Sequence, residues 1–342
     1  MKVHQRIALM EYLKADGVAE KFPFREFHNM ARRVREKIQK TVEETKWAEG
    51  VTTFPGGPGL NATSVLDQVH FLNEDMPKEL DTSSLKALSA MYKEIYDEEY
   101  RMRLISGCDK CDEVIVVVSV INRLYQVQDK STSYDVVRVP NTGRFNAMFD
   151  PYFQLVYIQE PMFYPLFDSN TTQSNLLAIS QFVAHEFFHA FISPELRIES
   201  PIFGKQAECL IIHYKQTCQK FGIMPACNSG EQTFNEDGPD SAGNRIIIDI
   251  MNDIYGDAID MLEYADLGIT KRQALFYGIA ATMCSPEEEG QISSFDVHSL
   301  HLMRVNGMFS QSAEFASAFS CTNGDRMVVN EDEVCHLFGE FA

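Results

Sequence analysis

Two histidines four residues apart, the first followed by a glutamate, stand inside the largely apolar run from Gln181 to Ala190 and tie that stretch to one local structure. Side chains at i and i+4 of an α-helix project from one face, so a helix brings the rings of His185 and His189 to a common point with Glu186 beside them. Helical periodicity recurs along the chain. Residues Arg25 to Glu49 carry Phe27, Met30, Ala31, Val34, Ile38, Val42 and Trp47 near one stripe, which predicts an amphipathic helix with a core-facing side. Further helices are expected over Ser83 to Met102, Asn175 to Phe191, Gln206 to Phe221, Asp240 to Tyr264, Lys271 to Met283 and Ser312 to Ser320. A Gly/Pro-rich break from Phe54 to Gly59 separates the first two. Only between Glu113 and Gln159 does the texture turn β-branched and aromatic. Strands are expected there at Val114 to Val120, Asp135 to Val139, Asn146 to Phe149 and Phe153 to Ile158, the last two joined by a turn at Asp150-Pro151. The expected fold class is α+β, predominantly helical with a small β-sheet.

Composition narrows the partners such a chain can have. With 342 residues, 45% apolar and 23% charged, it can bury one large core or two smaller ones and is too apolar for disorder. The formal charge of −19 argues against nucleic acid, because neutralising phosphates takes clustered Lys and Arg. The densest apolar run, Val114 to Ile121, is strand-sized and far short of the roughly 18–20 residues that span a bilayer, so no transmembrane segment is expected. Residues Met1 to Glu11 begin basic but hold too few apolar side chains for a signal-peptide core. The 8 cysteines, irregularly spaced, fit either disulfides or free thiols. Two sequons, Asn61-Ala62-Thr63 and Asn170-Thr171-Thr172, lean towards a secretory context. Oligomeric state is left open.

The motif His185-Glu186-Phe187-Phe188-His189 points to metal-assisted hydrolysis. Two imidazoles on one turn suit zinc, which at an open coordination position lowers the pKa of water towards about 7, and Glu186 is placed to take that water's proton as it attacks a carbonyl. A plain core helix with satisfied or surface histidines is the alternative. A catalytic zinc needs a third protein ligand, for which Glu236, in Asn235-Glu236-Asp237-Gly238-Pro239-Asp240, is a candidate. Asp240 lies one helical turn further, where a carboxylate can accept the other ring N–H of a ligating histidine. The same spacing equally suits a solvated helix start, where acids face the positive end of the dipole. Near the carboxyl end, Asp296 to Arg304 offers His298 and Arg304 to stabilise an oxyanion and hold a substrate carbonyl, against a reading as surface residues. His301 has no assigned role.

Several motifs in order carry a resemblance: Asn146-Ala147-Met148-Phe149, His185 to His189, Glu236 to Asp240 followed by Ala242-Gly243, Asp296 to Arg304 followed by Val305-Asn306-Gly307, and Ser312 to Cys321 with Cys335. Together they resemble the neprilysin family of membrane-bound and secreted zinc metallopeptidases, and the stretch from about Arg32 to Trp47 resembles the family's helix leading into its characteristic Trp. The resemblance implies a thermolysin-like zinc peptidase core, with a remnant of the family's helical cap domain over residues 1–105 and the catalytic domain over 106–342. It implies one zinc ion per chain held by His185, His189 and Glu236, with Glu186 as general base and Asp240 orienting His185. His298 would stabilise the transition state and Arg304 would grip the substrate carbonyl. Asn146 and Ala147 would hold the substrate backbone as an edge strand. Peptide substrates and an extracellular or plasma-membrane-associated location follow from the same likeness, as does a disulfide between Cys209 and Cys335. Cys284 and Cys321 match family cysteines whose partners belong to a part absent here. Cys108 and Cys111 are expected as a local disulfide or free thiols rather than a zinc knuckle, and Cys218 and Cys227 could bridge each other.

The departures are equally specific. After His189 the family continues Gly-Phe-Asp, whereas Ala190-Phe191-Ile192 lacks the acid that would support His189, a loss that weakens metal binding about 10- to 100-fold. Pro239 and Leu300 replace more usual residues, the loop after the motif is short, and the family's members are longer, with a signal anchor and a fuller cap. Three readings follow: an active zinc endopeptidase of short peptides, a catalytically impaired relative serving as a peptide-binding or interaction module, or a partial product whose stripe at residues 27 to 47 stays exposed.

Overall fold

The stripe at residues 27 to 47 is core, with each of its members at most 4% exposed. In a computed structural model, which describes residues 24–57, 59–71, 146–151, 154–158, 162, 173–221, 230–284 and 297–340, helix α1 spans Phe24–Glu43. It stops short of the expected Glu49, and Trp47 sits on a separate 3-10 turn, Lys46–Ala48. That turn redirects the indole towards the end of the chain, where its Nε1 donates to the Leu337 carbonyl at 2.7 Å and the Gly339 N–H donates to the Thr45 hydroxyl at 2.7 Å. The chain separates into two compact units, Met1–Leu9 with Glu74–Thr142 and Met10–Asn73 with Gly143–Ala342. Every described residue belongs to the second. The helix expected at Ser83 to Met102, the strands at Val114 to Val120 and Asp135 to Val139, and Cys108, Cys111, Cys227 and Asp296 lie outside the described residues.

A short helix that the sequence pattern did not reveal, α2 (Ala62–Gln68), follows the Gly/Pro break, and Asn61 caps it by accepting the Ser64 N–H. The sheet has β1 (His70–Phe71), β2 (Ala147–Asp150) and β3 (Leu155–Ile158) in the order β1-β3-β2. Strand β2 runs antiparallel to β3, with Ala147 opposite Ile158 and Asp150 opposite Leu155, as the turn at Asp150-Pro151 requires. Strand β1 joins β3 in parallel from a distant part of the chain, a pairing that no local pattern announces.

The motif helix, α3 (Gln173–Phe188), is followed by α4 (Pro194–Glu199), α5 (Pro201–Phe221) and α6 (Phe234–Tyr255). Helix α6 begins and ends earlier than the expected Asp240 to Tyr264. Pro239 is accommodated near its start, where it forfeits a single intrahelical bond, and Gly256 ends it by adopting φ +48, which L side chains avoid. The chain then forms an antiparallel pair, β4 (Leu262–Tyr264) and β5 (Ile269–Thr270), before α7 (Lys271–Thr282), α8 (His301–Ser310) and α9 (Ala313–Ala318). Helix α3 packs against α1, α6, α7, β2 and β3. Its side chains are therefore buried on nearly every face, from Leu176 to Phe188. A disulfide joins Cys209 of α5 to Cys335, and Cys218 is bonded to a partner outside the described residues. Cys284 and Cys321 are free thiols. No helix among the described residues is long and apolar enough to cross a membrane.

Candidate metal centre

The last turn of α3 presents His185, and the turn that follows it presents His189, towards the first turn of α6, which presents Glu236. Nε2 of His185 lies 3.0 Å from Nε2 of His189 and 3.2 Å from Oε2 of Glu236, and the third side of the triangle, His189 Nε2 to Glu236 Oε2, is 3.5 Å. A tetrahedral zinc with bonds of about 2.0–2.1 Å separates its ligand atoms by roughly 3.3 Å, so these three donors fit one ion and leave a fourth position open. Two nitrogens and one carboxylate oxygen are also the donor types zinc takes at catalytic sites.

Behind His185, Oδ1 of Asp240 lies 2.8 Å from Nδ1. In the neutral ring that contact keeps the proton on Nδ1 and leaves the Nε2 lone pair directed towards Glu236 and His189. Helices α3 and α6 come close enough for this because Gly243 has no side chain: a Cβ there would stand 3.2 Å from the His185 backbone nitrogen. The Gln181 amide adds a bond across the same crossing, donating to the Asp240 carbonyl at 3.0 Å. Asp240 in turn accepts two hydrogen bonds from Arg304, Nε to Oδ2 at 2.6 Å and Nη2 to Oδ1 at 2.8 Å. Burial alone would push the Asp240 carboxyl up, but Arg304 and His185 hold it well below the usual carboxylate range. Burial likewise opposes charge on His185, yet Asp240 and Glu236 raise its imidazole to about 10 in the metal-free chain. Glu236 is held low against the effect of burial by its hydrogen bonds with the two histidines.

A cleft of ≈ 510 Å³ opens over this cluster. Glu186 lines it, and burial raises its carboxyl against the pull of His185 and His189. Asn146 and Ala147 also line it, at the start of the outer strand β2, and His298 reaches in with Nε2 3.4 Å from Glu236 Oε2. Arg304 also lines the cleft, but two of its nitrogens are committed to Asp240, leaving Nη1 as the nitrogen not bonded to that carboxylate. Ile192, where the resemblance implies an acid, is only 4% exposed, and its Cδ1 would stand 3.1 Å from a Cβ added at Gly238 of α6. Nδ1 of His189 accordingly makes no hydrogen bond among the described residues.

Met148, Phe149 and Phe182, which give the cleft an apolar side, and Glu195, which also lines it, have no site role assigned from the sequence. The same holds for Asp237, whose carboxyl burial raises to about 8 against a hydrogen bond from Thr233, and for Ser299, which contacts it. An acid in a first helical turn looks the same in sequence whether it is solvated or buried.

Residues 146–335 match the model of Peptidase family M13. Among characterised relatives, Neprilysin-3 of Drosophila melanogaster is 27% identical over 192 residues, which are 51% of this chain and 24% of that protein. Endothelin-converting enzyme 1 of Mus musculus is 26% identical over 186 residues, 50% of this chain and 23% of that protein. Among solved structures, the zinc metalloprotease ZMP1 of Mycobacterium tuberculosis in its open state superposes with a TM-score of 0.59 at 16% identity, covering 91% of this chain and 47% of that one. The last likeness is one of fold alone, and in each case the chain spans only part of the relative.

Proposed function

The chain belongs to peptidase family M13, and from that premise we propose that it is a zinc metalloendopeptidase hydrolysing small peptides, with Glu186 as general base. The observation that carries this reading is the triangle of His185, His189 and Glu236 at zinc spacing, with Glu186 lining the cleft above it. One zinc ion per chain, when bound, supplies Lewis-acid chemistry, polarising a carbonyl and acidifying water. Glu186 takes the proton of the attacking water and, being buried, is favoured to hold it and pass it to the leaving amine. Asp240 keeps His185 in the ligating tautomer. Asn146 and Ala147 offer the backbone of an outer strand to an extended peptide. His298 Nε2 and Arg304 Nη1 are the donors for the developing oxyanion and the substrate carbonyl.

The disulfides at Cys209–Cys335 and Cys218 support an oxidising, extracellular or plasma-membrane-associated setting. The boundary near residue 105 stands as a proposal about ancestry, while the packing unit that holds the site includes α1 and Trp47 as well. The second reading, a peptide-binding relative with impaired turnover, is favoured by the apolar packing of Ile192 and the unassisted Nδ1 of His189.

The test is to purify the chain, measure zinc per molecule and follow cleavage of a quenched peptide beside a Glu186→Gln control. One zinc per chain with cleavage that the substitution abolishes supports the first reading. Zinc without cleavage above the control sinks the first reading and selects the second, and a folded chain that takes up no zinc also sinks the first.

A further inference from the structure

Beneath the metal cluster lies a buried polar group that the chemistry above leaves unused. Thr233, Asp237 and Ser299 are 0%, 1% and 3% exposed. Oδ2 of Asp237 accepts from the Thr233 hydroxyl at 2.6 Å and from the Ser299 hydroxyl at 2.9 Å, and the two hydroxyl oxygens stand 3.0 Å apart. Each end of the Asp237–Ser299 bond is one residue from a group in the cleft. Asp237 follows the ligand Glu236, and Ser299 follows His298, whose half-exposed side chain places Nε2 3.4 Å from that ligand's Oε2.

The segment from His298 to Arg304 is thus pinned to α6 at two points, by acids three residues apart. Asp240 holds Arg304 at the far end of the segment, and Asp237 holds Ser299 next to the imidazole. The backbone leaving Ser299 continues directly into α8, whose first turn is closed by the Met303 and Arg304 N–H groups on the Leu300 carbonyl. The ring of His298 leaves the backbone one residue before Ser299, and the anchored Ser299 restricts that backbone.

We infer that Ser299 and Asp237 are positioning residues that hold His298 over the Glu236 ligand. This rests on the proposed peptidase reading. Misplacing a reacting group by about 1 Å can cost on the order of 100-fold in rate, whereas a hydroxyl that only satisfied the core would leave turnover unchanged when the fold survives.

The experiment compares Ser299→Ala, His298→Ala and their double variant in the zinc-loaded chain, with Asp237→Asn as the conservative partner that keeps an acceptor for both hydroxyls. Ser299→Ala is expected to lower kcat at least about tenfold with KM and zinc content unchanged. In the His298→Ala background the same substitution is expected to cost nothing further, and Asp237→Asn to keep most of kcat. Equal losses from Ser299→Ala with and without His298 overturn the inference, as does no loss at all. A readout independent of turnover is the His298 ring resonance in histidine-labelled protein, assigned through its disappearance in His298→Ala. It is expected to shift in Ser299→Ala, and an unmoved resonance also overturns the inference. If the parent chain cleaves no peptide, the peptidase reading fails while the resonance still decides the positioning.

Discussion

Replacing Arg304 with methionine keeps much of the stem's volume and removes both hydrogen bonds that neutralise Asp240. The two side chains are 9% and 1% exposed, so the pair is largely desolvated. At the observed N–O distances of 2.6 and 2.8 Å the charge centres are about 4 Å apart, and an effective dielectric of about 20 puts their attraction near 4 kcal/mol. That agrees with the roughly 3–5 kcal/mol lost when one partner of a buried pair is removed. For a chain of 342 residues it corresponds to a fall of roughly 6 °C in Tm. Asp240→Asn alone strands the guanidinium and is expected to cost a similar amount. The double variant strands neither the guanidinium nor the carboxylate, although His185, protonated in the metal-free chain, still loses its Asp240 partner. It is therefore expected to recover the Arg304–Asp240 part of the loss, with a coupling energy of about 2–4 kcal/mol. Urea unfolding followed by the fluorescence of Trp47, the single tryptophan of the chain, measures all four proteins. Metal-stripped protein removes the contribution of zinc binding to apparent stability. Single losses that simply add in the double variant, or an Arg304→Met cost below about 1 kcal/mol, would refute the reasoning.

Reducing Cys209–Cys335 opens a loop of sequence separation 126, and by loop entropy it is expected to lower stability by roughly 4–5 kcal/mol; a melting curve that ignores the reductant contradicts this. Ile192→Asp gives His189 Nδ1 a carboxylate acceptor and is expected to tighten zinc binding by about 10-fold or more, read by chelator competition, with unchanged affinity counting against it. The metal-free chain holds His185 protonated to about pH 10, above its ordinary 6.5. The stabilisation from that raised pKa is fully present below about 6.5 and is lost as pH rises through about 10. Zinc needs the neutral ring, so its apparent affinity should climb up to about tenfold per pH unit across that window, and a flat chelator titration between about pH 6.5 and 9 argues otherwise.

The helices were legible where their information is local. The stripe from Phe27 to Val42 and the i, i+4 pair His185 and His189 follow from helical periodicity alone, and both form as expected. So does the turn between β2 and β3 at Asp150-Pro151. The ends of helices were less legible: α6 stops at Tyr255 because Gly256 adopts a positive φ, while the residues beyond it keep an apolar pattern that a hairpin satisfies equally well. The two-residue β1 and the short α2 left too little pattern to read.

By itself, then, the sequence determined that one helical turn would carry two imidazoles and a carboxylate, because a helix sets side-chain direction residue by residue. Only the tertiary structure decided what that turn would meet. Glu236 lies 51 residues beyond His185, and the crossing of α3 and α6 at Gly243 turns its acid into a third donor and the next acid face, Asp240, into a buried partner of His185 and Arg304. The segment leading into α8 buries Asp237 against Ser299, and the chain beyond α3 packs Ile192 against Gly238 where the resemblance implies a supporting acid. Whether a carboxylate is solvated or desolvated, paired or alone, depends on which distant surface covers it, and that is a property of packing rather than of spacing.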